Sequence, residues 1–323
     1  MKYYHPAGSR ANGGVTVDID PETIGGAEHS GAAASEHTGW QYTGLTVLEL
    51  GAGESHAVSL DGREAVVVPL SGSVDAEVRT DDGTERHHLI GRETPWGVTD
   101  VVYAPVGSRL ELRAAAPVRV AITWAVAERA FPIQYIPASS VPSELRGAGI
   151  CSRQVNNFGI PGVLDADRII VCEVMTPGGN WSSYPPHKHD VAGETETVLE
   201  EIYYYEVAPS PVGTPGFGLQ RVYASEAGEI DVTVEVHTGD VVLIPHGYHG
   251  PSVAAPGHDL YYLNVMAGPA DPARADRQWL ISDDPQHTWI RESWATETID
   301  PRLPFGGAQQ QARQSARVSE DSE

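Results

Sequence analysis

Two histidines one residue apart, in His187-Lys188-His189, follow directly on Pro185 and Pro186, and Glu201 comes later at the head of Glu201-Ile202-Tyr203-Tyr204-Tyr205-Glu206. On an extended segment residues i and i+2 point to one side, so His187 and His189 can converge on one ion while Lys188 points away. The two prolines bring no N–H to a ladder and place the segment at a strand edge or mouth. Further on, Gly239-Asp240 reads as a turn and Val241 to Ile244 as an apolar strand. Pro245-His246-Gly247-Tyr248-His249 is then a second tight turn, able to swing one of its histidines back toward the first pair. Three imidazoles and one carboxylate leave one or two positions open for water or substrate, the arrangement of a catalytic metal site. One divalent ion is expected, zinc in the first place, with Mn, Fe, Co and Ni as the alternatives such donors accept. Among 13 histidines an HxH by itself is unsurprising. It is the HxH together with the glutamate-led aromatic strand and the Gly-x5-Pro-x-Gly-x-His element that carries the reading.

The elements that must position these donors are strands. With 323 residues, 34 Gly and 24 Pro, turns recur too often for long helices. Short alternating runs bounded by Gly, Pro, Asp or Ser recur at Leu45 to Leu50, Ala65 to Val68, Leu110 to Leu112 and Asp231 to His237. The expectation is an all-β fold with few short helices. The stretch from about 24 to 44 reads as a long loop, 269–277 as one or two helical turns, and 306–323 as a disordered tail. Glu235 and His237 lie on the polar face of a strand whose other face is valine, and read as solvated surface.

An internal echo divides the chain. Asp100-Val101-Val102-Tyr103-Ala104-Pro105-Val106-Gly107-Ser108-Arg109 matches Asp240 to His249 at five of ten positions. Upstream, His56, Val58 and Glu64 read against His187, His189 and Glu201. A His-Glu element precedes an Asp-Val-Val-x-x-Pro-x-Gly element in both halves, so two copies of one β-domain are expected. The copies span 1–135 and 140–303, with the join in Phe131 to Pro142. Val58 and Arg109 replace two ligand positions in the first copy, which is expected to bind no metal.

Composition removes other classes. Lys plus Arg total 21 against 44 Asp plus Glu, a formal net charge of −23 that repels nucleic acid and anionic membrane. No apolar stretch approaches the length of a membrane helix, and the opening residues lack a secretory pattern. Cys151 and Cys172 form no CxxC or disulfide framework. A cytoplasmic protein is expected, with a small-molecule substrate and a homo-oligomer open as an assembly. No phosphate loop or nucleophile elbow is present.

These motifs resemble the two-part cupins, whose first motif is HxH followed by Glu and whose second is Gly-x5-Pro-x-Gly-x2-His. Here the HxH-to-Glu gap is longer and one residue fewer precedes His249, which position relative to the glycine favours over His246 as fourth ligand. More narrowly, the runs YYHPAGSRANGG, PPHKHD, LEEIYYYE, IPHGYHGPSVAAPGHDLYYLNVMAGP and WIRESW resemble the 5-deoxy-glucuronate isomerases of myo-inositol catabolism over nearly the whole chain. The resemblance implies a bicupin, two tandem β-sandwich or jelly-roll barrels, related to the hexulose-uronate ketol-isomerases of pectin breakdown. It implies conversion of 5-deoxy-D-glucuronate to 2-deoxy-5-keto-D-gluconate, with the metal as electrophile and not as redox centre.

An aldose–ketose isomerisation needs a proton carrier. Glu173, on an otherwise apolar face between Val171 and Met175, is the first candidate, with an ion pair to a buried arginine as its plain alternative. Tyr203 and Tyr205, on the face of Glu201, are the next candidates and read as pocket walls. Lys188 is the weakest base and is kept as a substrate contact. For the substrate carboxylate, Arg153 and Arg221 offer guanidinium forks. A ferrous dioxygenase on the same scaffold and a non-catalytic sugar-acid-binding cupin are the competing readings.

Overall fold

Alternating apolar residues punctuated by turns resolve, in the computed structural model, into antiparallel sheets; the structure describes residues 2–9, 13–26, 40–269 and 278–306. The C-terminal half forms two sheets. One runs, edge to edge, Tyr4–His5, Val241–Ile244, Glu200–Val207, Leu260–Ala267, Ile170–Thr176, Arg153–Gly159 and Ser143–Arg146. The facing sheet runs Gly228–Val236, Gly218–Ser225, Tyr248–Ala254, His187–Lys188 and Ser282–Asp283, with Trp181–Ser182 paired beside Tyr248–Ala254. The N-terminal half is built around the 18-residue strand Arg63–Thr80, long enough to serve both faces of its own barrel. The fold is thus an all-β bicupin. Helix is confined, among the described residues, to Pro21–Gly26, Ile290–Ser293 and two 3-10 turns, and none is long and apolar enough to cross a membrane.

The loop expected over about 24–44 is therefore bounded more tightly, because Ile24 lies in a helix, Trp40 is buried and Thr43 opens a strand. The rest of that loop at 27–39, the helical turns expected at 270–277 and the tail from 307 lie outside the described residues.

Alternation sorts side chains into three cores. One fills the N-terminal barrel, with Ala65, Val67, Leu110 and Trp124. A second fills the C-terminal barrel, with Cys172, Tyr203, Tyr205, Tyr262 and Met266. The third, with Val66, Tyr103, Val171, Met175, Tyr204 and Tyr261, is the seam between the two sheets that meet.

The halves repeat each other in hydrogen-bond register. Val102 faces Val67 as Val242 faces Tyr203, and Ala65 faces Ala104 as Glu201 faces Ile244. The repeat extends to a pair of edge strands. Tyr135, opposite Val102, donates its hydroxyl to Asp100 (2.9 Å), and Tyr4, opposite Val242, donates to Asp240 (2.8 Å). Tyr4-His5-Pro6-Ala7 and Tyr135-Ile136-Pro137-Ala138 are thus the same element, and each is lent to the other half's sheet. The first domain as drawn from sequence, 1–135, differs at its start: Tyr4–His5 belongs to the C-terminal sheet, and Gln134–Ile136 closes the N-terminal one.

This register also corrects the upstream pairing. Glu64 stands where Glu200 stands, one residue before Glu201, and Ser59 faces Arg109 as His187 faces His249. The first half therefore presents Ser59, Ala65 and Arg109 where the second presents His187, Glu201 and His249. Trp124, cross-strand from Ala65 as Met266 is from Glu201, packs over Gly44, where a Cβ would come within 2.0 Å of its ring.

The seam holds two matched carboxylates. Glu64 accepts the backbone N–H groups of Asp167, Arg168 and Ile169 (2.6–2.8 Å). Glu200 accepts those of Gln41, Tyr42 and Thr43 (2.6–2.8 Å). Beside them Glu173 is fully buried and held bidentately by Arg92 of the other domain (2.8 and 2.7 Å), by Asn156 Nδ2 (2.7 Å) and by the Tyr261 hydroxyl (3.0 Å). Val171, Glu173 and Met175 turn to the seam while Ile170, Cys172 and Val174 line the barrel. Period-2 alternation thus aims Glu173 away from the barrel interior, and its carboxylate is spent on an interdomain ion pair; it is not the general base. Arg92→Leu should leave that carboxylate buried without its counter-ion, held by Asn156 and Tyr261 alone, costing about 3–5 kcal/mol in denaturant unfolding. The Arg92→Leu/Glu173→Leu double variant should recover much of the loss; an Arg92→Leu protein as stable as the parent would refute the pairing.

Candidate metal centre

The donors come from three places in the C-terminal barrel. His187-Lys188 forms a two-residue strand between His249 on one side and Asp283 on the other. Glu201 sits one residue into Glu200–Val207, so Glu200 turns to the seam and Glu201 turns inward. His249 is brought back by the turn at Gly247 (φ +97°), where a Cβ would meet the Tyr223 carbonyl oxygen at 2.6 Å. Only glycine fits that hook.

His189, Glu201 and His249 are buried, with donor atoms within 4.8 Å of one another. Nε2 of both His189 and His249 lies 3.1 Å from Glu201 Oε2. His187 stands at the outer edge, half-buried, its ring centroid 4.4 Å from that of His249. The second nitrogen of each ring decides the chemistry. Nδ1 of His187 faces the Pro185 carbonyl oxygen (3.4 Å), that of His189 faces Leu199 (2.9 Å), and that of His249 faces Gly247 (3.2 Å). A carbonyl can only accept, so each Nδ1 carries the hydrogen, and His189 and His249 turn Nε2 to the centre. His249 Nε2 is buried without a hydrogen bond of acceptable geometry. Lone pairs converging on a carboxylate oxygen are compensated by a cation between them, and ligand separations near 3 Å suit a metal–ligand distance of about 2.0–2.2 Å. The residues present fit a divalent ion.

Electrostatics agrees. Burial, the neighbouring His249 and His189, and Arg153 hold His187 well below the usual imidazole range, keeping it neutral. Burial also pulls His189 down, but Glu201 beside it outweighs burial and raises it. Burial pushes Glu201 up, and the two imidazoles more than reverse this, so it is ionised.

The structure does not bring every expected residue here. His246 turns outward to the Glu229 carbonyl oxygen (3.4 Å), leaving His249 as the turn's inward histidine. Lys188 points away and is neutralised by Asp190 (2.9 Å) and both oxygens of Glu196 (3.0 Å), so it is a brace for the insertion after the HxH and not a substrate contact. Asp190 in turn accepts the Gly247 N–H (2.8 Å), tying that insertion to the His249 hook. Arg221 is exposed, its guanidinium over the Tyr223 ring, because Gln220 and Val222 take the inward face; it is not at the site. Tyr205 points inward but is engaged by Gln220 (2.9 Å) and Ser252 (3.2 Å), deeper in the barrel. Tyr203 faces His249 with ring centroids 6.1 Å apart and shares a hydrogen bond with Ser183 Oγ (3.0 Å). Arg153 lies on the inward face of its strand with Val155.

Three residues escaped the sequence reading. Ser183 (φ +47°) is the one described non-glycine residue with positive φ, and its Oγ also meets the Tyr262 hydroxyl (3.1 Å). Gly250 makes room for it, since a Cβ there would lie 1.9 Å from the Ser183 carbonyl oxygen. Asn264, on the same face as Tyr262, is buried with Nδ2 lacking a partner. Inward alternation of Leu260, Tyr262, Asn264 and Met266 was readable; the position of Ser183 was not.

A family model described as KduI/IolB matches residues 20–290. The chain belongs to the KduI/IolB family. It is 40% identical over 262 residues to the 5-deoxy-glucuronate isomerase of Geobacillus kaustophilus, covering 80% of this chain and 89% of that protein. It is 37% identical over 254 residues to that of Bacillus subtilis strain 168, covering 78% and 88%. Among solved structures, an IolB-like protein from Salmonella typhimurium superposes with a TM-score of 0.75 at 32% identity, over 90% of this chain and 99% of that one. Oxalate decarboxylase of Lactobacillus farciminis superposes at 0.59 with 10% identity, over 87% and 88%, a likeness of fold alone.

His249→Ala and Glu201→Gln should each lower bound metal from about one ion per chain to a small fraction by elemental analysis, with far-UV circular dichroism unchanged. Arg221→Ala should keep its metal. Full metal content in both ligand variants would exclude this centre.

Proposed function

We propose that this chain is a metal-dependent aldose–ketose isomerase that converts 5-deoxy-D-glucuronate to 2-deoxy-5-keto-D-gluconate in myo-inositol catabolism. The observation that carries the metal dependence is the pair of Nδ1–carbonyl contacts on His189 and His249, which turns both Nε2 atoms to 3.1 Å from the Glu201 carboxylate, with the His187 ring beside that of His249. The names of the relatives at 37–40% identity support the substrate. His187, His189, Glu201 and His249 would hold one divalent ion, zinc in the first place. When bound, it supplies Lewis-acid polarisation of an aldehyde oxygen and the neighbouring hydroxyl.

The reaction is redox-neutral: a hydrogen leaves the carbon beside the aldehyde and one is delivered to the aldehyde carbon, while the hydroxyl on the first carbon gives up its proton and the former aldehyde oxygen gains one, so no oxidant is required. Of the proton carriers weighed, Tyr203 stands beside the donors with its hydroxyl on Ser183. Burial, with Glu201 nearby, raises its phenol well above its ordinary value, so Oη keeps its proton at neutral pH and serves as donor and orienting group. Tyr205 and Tyr262 form the wall behind it. Buried walls also exclude water, which strengthens the electrostatic effect of the charges inside.

Incubation of the purified protein with 5-deoxy-D-glucuronate, followed by NMR, should yield the keto acid without oxygen uptake, stop after exhaustive chelation and resume on metal add-back. No product from fully metallated protein would remove this assignment. Tyr203→Phe should lower kcat by about 10²-fold or more with metal content intact; an unchanged kcat would assign Tyr203 to the wall.

A further inference from the structure

We infer that Arg153 is the anchor for the carboxylate of the substrate, and that it selects a sugar acid over a neutral sugar; this rests on the isomerase reading above. Alternation along Arg153–Gly159 sends Gln154 and Asn156 to the seam, where Gln154 Oε1 accepts the Phe305 N–H (2.7 Å) and Asn156 meets Glu173. Arg153 and Val155 therefore face the barrel that holds the metal donors. Val155 is in register with Val174 and through it with the inward Tyr262, whose hydroxyl meets Ser183, the partner of Tyr203 beside the donors.

What sets Arg153 apart is its partners. Arg92 pairs with Glu173, Arg119 with Glu206, Arg168 with Glu128 and Arg302 with Asp300. Among the described residues no carboxylate lies within ion-pair distance of Arg153; its polar contact is the Cys151 carbonyl oxygen (3.1 Å), and the Trp294 ring lies 5.8 Å from its charge centre. Two arginines lie beside it, Arg146 in cross-strand register and Arg291 against the same Trp294 ring. Arg146, its cross-strand neighbour, is paired with Glu144, and Arg291 with Asp283. Burial and these two arginines act against its charged form. A largely desolvated guanidinium kept without a counter-ion is costly unless a ligand anion completes it. In a chain of net charge −23, this local cluster is where an anion is admitted. A planar fork offering two parallel N–H donors matches a carboxylate.

The test compares metallated wild type, Arg153→Gln and Arg153→Lys with two substrates, 5-deoxy-D-glucuronate and 5-deoxy-D-glucose, whose hydroxymethyl group replaces the carboxylate. Arg153→Gln should lower kcat/KM for the acid on the order of 100-fold, chiefly through KM, and leave the neutral sugar within a few-fold. Arg153→Lys, which keeps the charge and loses the fork, should fall between. An equal loss on both substrates at unchanged metal content, or no loss on either, would overturn the anchor. If wild type converts neither compound, the isomerase reading falls. The anchor is then judged by calorimetric titration with D-glucuronate and D-glucose: a preference for the acid that disappears in Arg153→Gln upholds it, and equal binding by both proteins overturns it.

Discussion

Buried carboxylates cannot be left without donors, and in this protein two of them, Glu64 and Glu200, find their backbone donors in the opposite domain, Glu64 also accepting the Tyr103 hydroxyl of its own half. Each takes three consecutive backbone N–H groups at the start of a strand, which fixes where that strand begins and how the two sheets stack. Because Glu200 is locked to the seam, strict alternation turns Glu201 into the barrel. The metal ligand is therefore aimed by its neighbour's interdomain contacts. The Arg92–Glu173 and Arg119–Glu206 ion pairs also cross between the halves. Matched edge strands add to this, Tyr4 hydrogen-bonding Asp240 at the C-terminal sheet and Tyr135 hydrogen-bonding Asp100 at the N-terminal one.

This arrangement gives the N-terminal half a role that does not require a metal of its own. Where the second half carries His187, Glu201 and His249, the first carries Ser59, Ala65 and Arg109, and Trp124 occupies volume beside Ala65. The first half keeps the features that serve the seam, Glu64 and the Asp100–Tyr135 contact, and lacks the donors. Duplication with divided labour is consistent with both observations: the shared parts are those that face the partner domain, and the divergent parts are those inside the barrel.

Within the C-terminal barrel, polar groups are layered. The donor set lies at one level, Tyr203, Ser183 and Tyr262 join beside it, and Tyr205, Gln220 and Ser252 close the interior beyond. The deeper layer satisfies its own hydrogen bonds, which makes it wall. Beside the donor set two buried side-chain nitrogens, His249 Nε2 and Asn264 Nδ2, lack a hydrogen-bond partner, and a buried polar atom left so is costly unless something is received there.

Sequence alone determined what depends on neighbours along the chain. Alternation and turn density established the all-β class; the HxH spacing put His187 and His189 on one side and Lys188 on the other; the alternating faces put Glu201, Tyr203 and Tyr205 together. The Asp-Val-Val-x-x-Pro-x-Gly echo was legible because both copies need the same turn. Tertiary structure decided what depends on pairing across the fold. Whether Glu173 met an arginine or a substrate turned on Arg92, 81 residues away. Whether Glu64 matched Glu200 or Glu201 turned on strand register, and a slip of one residue exchanges barrel for seam. That Tyr4 closes the sheet of the other half required knowing where the strands end in space. The separation of Arg153 from Arg221 is of the same kind: both are arginines in strands, and only the packing shows one inward without a counter-ion and the other in water over an aromatic ring.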